Sequence, residues 1–132
     1  MEHALLPLRR YADFAGRSRR REYWAFTLCI ILFEVAMFGW IFAAARSADG
    51  EMTTAVAVPF VLLMLAGLAL LIPSLAVTVR RLHDQNRSGW YWILSFVPIV
   101  GAIALLVFMC VEGTRGPNRF GPDPRTGPPP AA

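Results

Sequence analysis

Arg80-Arg81-Leu82-His83-Asp84-Gln85-Asn86-Arg87-Ser88-Gly89-Trp90 is a polar knot set between two long apolar runs. A soluble core would leave so many charges unpaired, so the stretch reads as a loop at a membrane surface. The runs around it agree. Residues 23–45, 54–79 and 90–111 each hold about 20 predominantly apolar residues or slightly more, enough to cross a ~30 Å hydrocarbon core at ~1.5 Å per residue. The direct expectation is an all-α membrane protein with a small bundle of three transmembrane helices. Residues 1–124 form its single integral membrane domain, and 125–132 its Gly/Pro-rich, disordered tail.

Composition points the same way. Of 132 residues, 56% are hydrophobic and 17% charged, outside ordinary soluble usage, so the apolar side chains face something other than water. The formal net charge is +4, and all thirteen basic side chains are arginine. That uniformity fits either a GC-rich genome or a choice of planar forks for phosphate and carboxylate. The arginines crowd beside the apolar runs, where they serve topology and anionic headgroups, so membrane lipids and not nucleic acid are the expected partners. Cys29 and Cys110 lie inside apolar runs without CxxC spacing, and no further Cys/His cluster accompanies His3 or His83, so neither a metal nor a cofactor is expected.

Leu5, Leu6, Leu8, Tyr11 and Phe14 recur at roughly helical spacing among Arg9, Arg10 and Asp13, which suits either a short interfacial helix or a partly ordered tail. Gly16 can end that element and Ser18 can cap the next, while Tyr23 and Trp24 are the rings expected at headgroup level. The basic residues before 23–45 resemble a signal peptide, but the run exceeds a typical h-region and reads as an uncleaved span. Glu34 then falls near mid-membrane, where a charge is costly. It reads either as a proton or cation relay or as a neutral acid bonded to a carbonyl or a neighbouring helix. Pro59, Gly67 and Pro73 mark the second run, with a kink expected near Pro73.

Counting Arg beside the runs places the N-terminus and the 80–90 loop in the cytoplasm, against Arg46 alone in the first turn. Three full spans put the tail outside, although Arg115, Arg119 and Arg125 resist that placement. A re-entrant 90–111, broken at Pro98 and Gly101, would remove the conflict.

Three stretches together resemble one family: F-x-G-R-x-x-R-x-E-Y-W at 14–24, R-R-L-H-D-x-x-R-S-G-W at 80–90 and N-R-F-G-P-D-P at 118–124. In order and spacing they are similar to the domain-of-unknown-function 805 family of small bacterial inner-membrane proteins, with Gln85-Asn86 a mild departure. The resemblance implies an integral protein of the bacterial inner membrane and carries over no catalytic residue.

His83 beside Asp84 invites an acid–base reading, which would make the protein a membrane enzyme acting on lipid headgroups. The alternative is that Asp84 pairs with a loop arginine, or with Arg17 or Arg20, while Glu22 takes a second arginine, Ser88 caps the third run and Trp90, Tyr91 and Trp92 anchor it. The candidate surface for anionic lipid or a protein partner comprises Arg17, Arg20, Glu22, Arg80, Arg81, His83, Asp84 and Arg87. The leading reading is a non-enzymatic protein, homo-oligomeric or bound to another membrane protein because so small a bundle buries little. A small oligomeric transporter or channel using Glu34 is the other alternative.

Overall fold

The computed structural model describes residues 2–49 and 51–126. Helix α1 covers Glu2–Arg9, α2 covers Arg20–Ser47 and α3 covers Thr54–Asp84; a 3₁₀ helix at Gly89–Phe96 and α4 at Val100–Cys110 follow. Among the described residues there is no β-strand, only an isolated bridge between Asn118 and Gly121. Of the expected disordered tail, 127–132 lie outside the described residues, whereas Arg125 is firmly engaged, as described below.

With 28 and 31 residues, α2 and α3 reach about 42 and 46 Å, so each is long enough to cross a bilayer. Residues of α3 continue helically through Pro59 and Pro73, and the Thr78 hydroxyl donates to the Ser74 carbonyl at 2.7 Å. The helix stops at Asn86, whose φ of +58° is the left-handed conformation of a C-terminal cap. The Arg87 N–H reaches the Leu82 carbonyl and the Asn86 N–H reaches that of His83, at 3.0 and 2.9 Å, the paired bonds of a Schellman motif.

Two compact units make up the structure. The first is Met1–Phe26 with Ile72–Ala132, the second Thr27–Leu71. The second unit has almost no interior: Phe42 and Leu68 are 65% and 66% exposed. None of the most apolar window of α2 and 6% of that of α3 is buried, unlike the mostly buried core helix of a soluble protein, which suits side chains solvated by lipid.

The first unit has an interior of an unusual kind. Its buried residues include five apolar ones, among them Phe26, Leu82 and Met109, but seven polar or charged ones, so ion pairs and hydrogen bonds organise it. Here the third apolar run departs from the expected continuous span. Its 3₁₀ helix of eight residues and α4 of eleven are each only about 16 Å long. They pack against each other as a hairpin, Tyr91 meeting Phe108 edge-on at 6.0 Å between centroids. The reversal lies between them, where Ile99 takes φ +62°. Gly101 permits the close packing, because a Cβ there would fall 1.6 Å from the Leu94 carbonyl oxygen. Both ends of the run therefore return to the 80–90 loop.

Candidate functional site

Asp84 ends α3 and is the centre of the knot. Its Oδ1 accepts from Arg17 Nε at 2.9 Å and its Oδ2 from Arg81 Nη1 at 2.6 Å, while its backbone carbonyl accepts from the Thr114 N–H at 2.9 Å. Arg17 also donates to the carbonyls of Thr114 and Gly116, and Arg81 to those of Met109 and Val111. A buried guanidinium carries five donors, and here carbonyls at the end of α4 and in the loop that follows it take donors the carboxylate leaves over. One helix end thus ties the segment before α2 to the returning tail. Gly113 lies so close that a Cβ would meet Asp84 Oδ2 at 1.9 Å.

Arg80 performs the second half of the clamp. It is fully buried, donates to Glu22 Oε1 at 3.3 Å and reaches the carbonyls of Arg10 and Asp13. The expected pairing of Asp84 and Glu22 with arginines is present, on Arg17 and Arg81 for the first and Arg80 for the second. Ser18 is a correction. Its N–H bonds to the Arg80 carbonyl at 3.1 Å and its hydroxyl is buried without a partner among the described residues, so it does not cap α2. Ser88 does cap the 3₁₀ helix, accepting from the Trp90 N–H at 3.4 Å.

His83 is spent on structure. Its Nδ1 lies 3.2 Å from the Gly16 carbonyl, which only accepts, so Nδ1 carries the proton. The ring stacks on Phe120 at 3.8 Å and 5° between planes, and Asn118 donates to the His83 carbonyl at 2.9 Å. Burial lowers the imidazole pKa, the Gly16 bond opposes that, and Arg119 adds to the lowering. Because the Asp84 oxygens are held by arginines, the acid–base reading finds no His83–Asp84 hydrogen bond among the described residues. Arg87 is likewise absent from the ion pairs among the described residues. Its guanidinium sits 4.2 Å from the Phe108 ring centroid and 5.7 Å from that of Tyr91, pinning the base of the hairpin.

Beside the knot opens a cavity of about 330 Å³, lined by Arg19, Arg20, Arg21 and Arg125 together with Glu112 and Asp84. Arg20 donates to the Cys110 carbonyl at 3.0 Å. Arg125 bridges Glu112 at 2.7 Å and Asp123 at 3.0 Å, and this bonding holds the Asp123 carboxyl well below the usual carboxylate range. The side chains of Arg19 and Arg21 have no hydrogen bond or ion pair among the described residues. Of the candidate surface residues, the structure therefore consumes Arg17, Glu22, Arg80, Arg81, His83 and Asp84 internally and leaves Arg20 on the cavity wall. The sequence reading missed Arg19, Arg21, Glu112 and Arg125 as a group, because only the folded-back tail brings them together. The adjacency of Arg19, Arg20 and Arg21 was the one available signal. Glu34, in the other unit, is exposed on α2, and no group of His, Cys, Asp and Glu among the described residues could hold a metal.

The three sequence motifs thus meet at one place: Arg17 and Glu22 from the first, Arg80 to Asp84 from the second, Asn118, Phe120 and Asp123 from the third. Comparison with known proteins fits this. The chain is 44% identical over 127 residues to inner membrane protein YhaI of Escherichia coli K12, covering 96% of this chain and 98% of that one. It is 39% identical over 134 residues to inner membrane protein YhaH of the same strain, covering 97% and 100%. An uncharacterized protein of that strain, YiiR, is 28% identical over 136 residues, covering 84% and 85%. No solved structure matches. The family profile described as "Protein of unknown function (DUF805)" matches residues 11–122, which span all three motifs but for the last two positions of the third, and the chain belongs to that family.

Proposed function

We propose that this is an integral protein of the bacterial inner membrane that crosses the bilayer with α2 and α3, dips into it with the 90–111 hairpin, and binds anionic lipid through a cytoplasmic arginine surface. The two relatives named as inner membrane proteins support the compartment. The hairpin supports a re-entrant third run, since its C-terminal end bonds back to the loop from which its N-terminal end leaves. That arrangement puts Arg115, Arg119 and Arg125 on the face that carries Arg17 to Arg21, and leaves Arg46 at the opposite end of α2, the asymmetry of a cytoplasmic N-terminus. Cysteines at Asn86 and Arg115 should then label from one side and a cysteine at Ser47 from the other; label reaching Arg115 with Ser47 would overturn it.

The observation that carries lipid binding is that the Arg19 and Arg21 side chains, close in sequence to Tyr23 and Trp24, have no protein anion among the described residues. Brominated phosphatidylglycerol in vesicles should quench tryptophan fluorescence more strongly than brominated phosphatidylcholine at equal mole fraction. The difference should shrink as salt rises from about 0.05 to about 0.5 M. Equal quenching by the two lipids would refute the reading. Exposed Glu34 favours a second reading, a homo-oligomer in which another chain covers that carboxyl, with ion flux lost in Glu34→Gln if it is a relay.

A further inference from the structure

The cavity itself carries more than a charged surface does. Arg20 and Arg21 occupy the first turn of α2, where Asp and Glu are favoured, because the orphan N–H groups there already present positive potential. Ser18, the residue placed to offset that with a hydroxyl, is turned into the knot. Glu22, the acid of that turn, is taken by Arg80 at 3.3 Å. Asp84 at the back of the cavity is neutralised twice over by Arg17 and Arg81. Three consecutive guanidiniums and a helix N-terminus therefore face one concavity with no anion to offset them but Glu112, which already belongs to Arg125. Nothing in the protein balances Arg19 and Arg21 among the described residues, although each presents a planar fork suited to phosphate oxygens.

We infer that this cavity is a binding site for one phosphate group carried on a small head group, held by Arg19, Arg20 and Arg21 and closed by Arg125. The inference rests on the anionic-lipid reading above and makes it specific to a place. At about 330 Å³ the space stands at the small end of ligand pockets, about 300–1,000 Å³, and is sufficient for a phosphorylated head group. At Arg125 only the bond to Glu112 has to be exchanged. Asp123, buried, keeps hold of its Nε, while Nη1 is bonded to Glu112, whose side chain is 54% exposed. An arriving phosphate takes the place of Glu112 on Nη1 and leaves the Asp123 bond intact. Glu112 thus competes with the ligand.

The test uses full-length protein in a maltoside detergent free of phosphate, with inorganic phosphate, glycerol phosphate and phosphatidylglycerol as probes in calorimetry and native mass spectrometry. Arg19→Gln with Arg21→Gln removes two cavity forks; Arg9→Gln with Arg115→Gln removes the same charge from two exposed arginines outside it. The cavity pair should weaken binding about tenfold or more, since each lost charge-assisted bond is costly, and the outer pair less than about twofold. Glu112→Gln should tighten binding, which no purely structural role of Glu112 explains. Binding of all three probes identifies free phosphate as sufficient, and binding of phosphatidylglycerol alone identifies the membrane as the source; either supports the site. Equal weakening by the two pairs would overturn the cavity while leaving a diffuse lipid-binding surface, and no binding to wild-type protein would overturn both. The Arg19 and Arg21 side chains bond to nothing among the described residues, so their variant should melt with wild type, and a large fall in melting temperature would contradict the geometry.

Discussion

Asp84→Asn removes one charge from the knot and almost nothing from its shape. Two guanidiniums then remain where Asp84 stood: Arg17, 6% exposed, and Arg81, fully buried. Removing one partner of a buried pair costs about 3–5 kcal/mol, because the stranded charge cannot recover its hydration. The two pairs do not add to twice that, since they share one carboxylate and each guanidinium keeps its carbonyl acceptors, Gly116 and Thr114 for Arg17 and Met109 and Val111 for Arg81. The expected loss is therefore about 3–5 kcal/mol in all, a fall on the order of 10 °C or more in melting temperature. Glu112→Gln is the internal control: it breaks an ion pair whose side chains are 34% and 54% exposed, worth about 0–1 kcal/mol. Intrinsic-fluorescence melting in detergent at pH 7.5 reads both. Adding Arg17→Gln to Asp84→Asn should recover part of the loss by removing one of the stranded charges. If Asp84→Asn melts within about 2 °C of Glu112→Gln, the knot is not a clamp and the argument built on it fails.

The stacked imidazole gives a pH dependence with a definite sign. Burial lowers the folded pKa of His83 below its ordinary 6.5, so the unfolded chain takes the proton first; stability holds above about pH 7 and falls as pH drops through 6.5 toward the folded value. Melting curves between about pH 8 and 5 should lose that slope in His83→Gln, and an unchanged slope would assign it elsewhere. Gly113→Ala should destabilise by about 1–3 kcal/mol or more, because its Cβ would stand 1.9 Å from a carboxylate pinned by two arginines. Gly67→Ala, with nothing within 4 Å, should be neutral; equal melting of the two would refute the close approach. Glu34→Gln should leave expression and oligomeric state unchanged, since the amide keeps the size and hydrogen-bonding end of the side chain, and loss of the oligomer on size exclusion would expose an ion pair with a second chain.

The long helices were legible because their signal is local. Apolar runs at 23–45 and 54–79 fall within α2 and α3, and extra turns at the ends are polar ones such as Arg20 to Glu22 and Arg80 to Asp84. Charge pairing was legible by scarcity, since Asp84 is the only carboxylate among the arginines of its loop. The third run was not, because length and hydropathy describe how much apolar chain there is and not where its ends go. Pro98 and Gly101 flagged a break without choosing between a kinked span and a hairpin. What decides it is remote: Arg81 holding the Met109 and Val111 carbonyls, Gln85 donating to the Phe108 carbonyl, and Arg87 over the Phe108 ring.

Those remote contacts also explain why the sequence reading met resistance at the tail. A straight third span strands Arg115, Arg119 and Arg125 on the side opposite the other clustered arginines, against the usual distribution of charge. The proposed re-entrant topology carries no such conflict, and the hairpin it rests on is held by the same bonds that bury Arg81, so the fold of the third run and the pairing of the knot stand or fall together. A carbonyl at the end of a broken helix lacks its intrahelical donor and is costly in a low-dielectric setting, while a buried guanidinium has more donors than one carboxylate can accept. Each deficit meets the other for Arg81 at Met109 and Val111, while Arg17 takes the loop carbonyls of Thr114 and Gly116. The return of the chain to the knot after α4 is therefore what allows three arginines to be buried beside only two paired carboxylates, Asp84 and Glu22. A third run carried straight away from the knot would take those carbonyls with it and leave Arg17 and Arg81 short of acceptors.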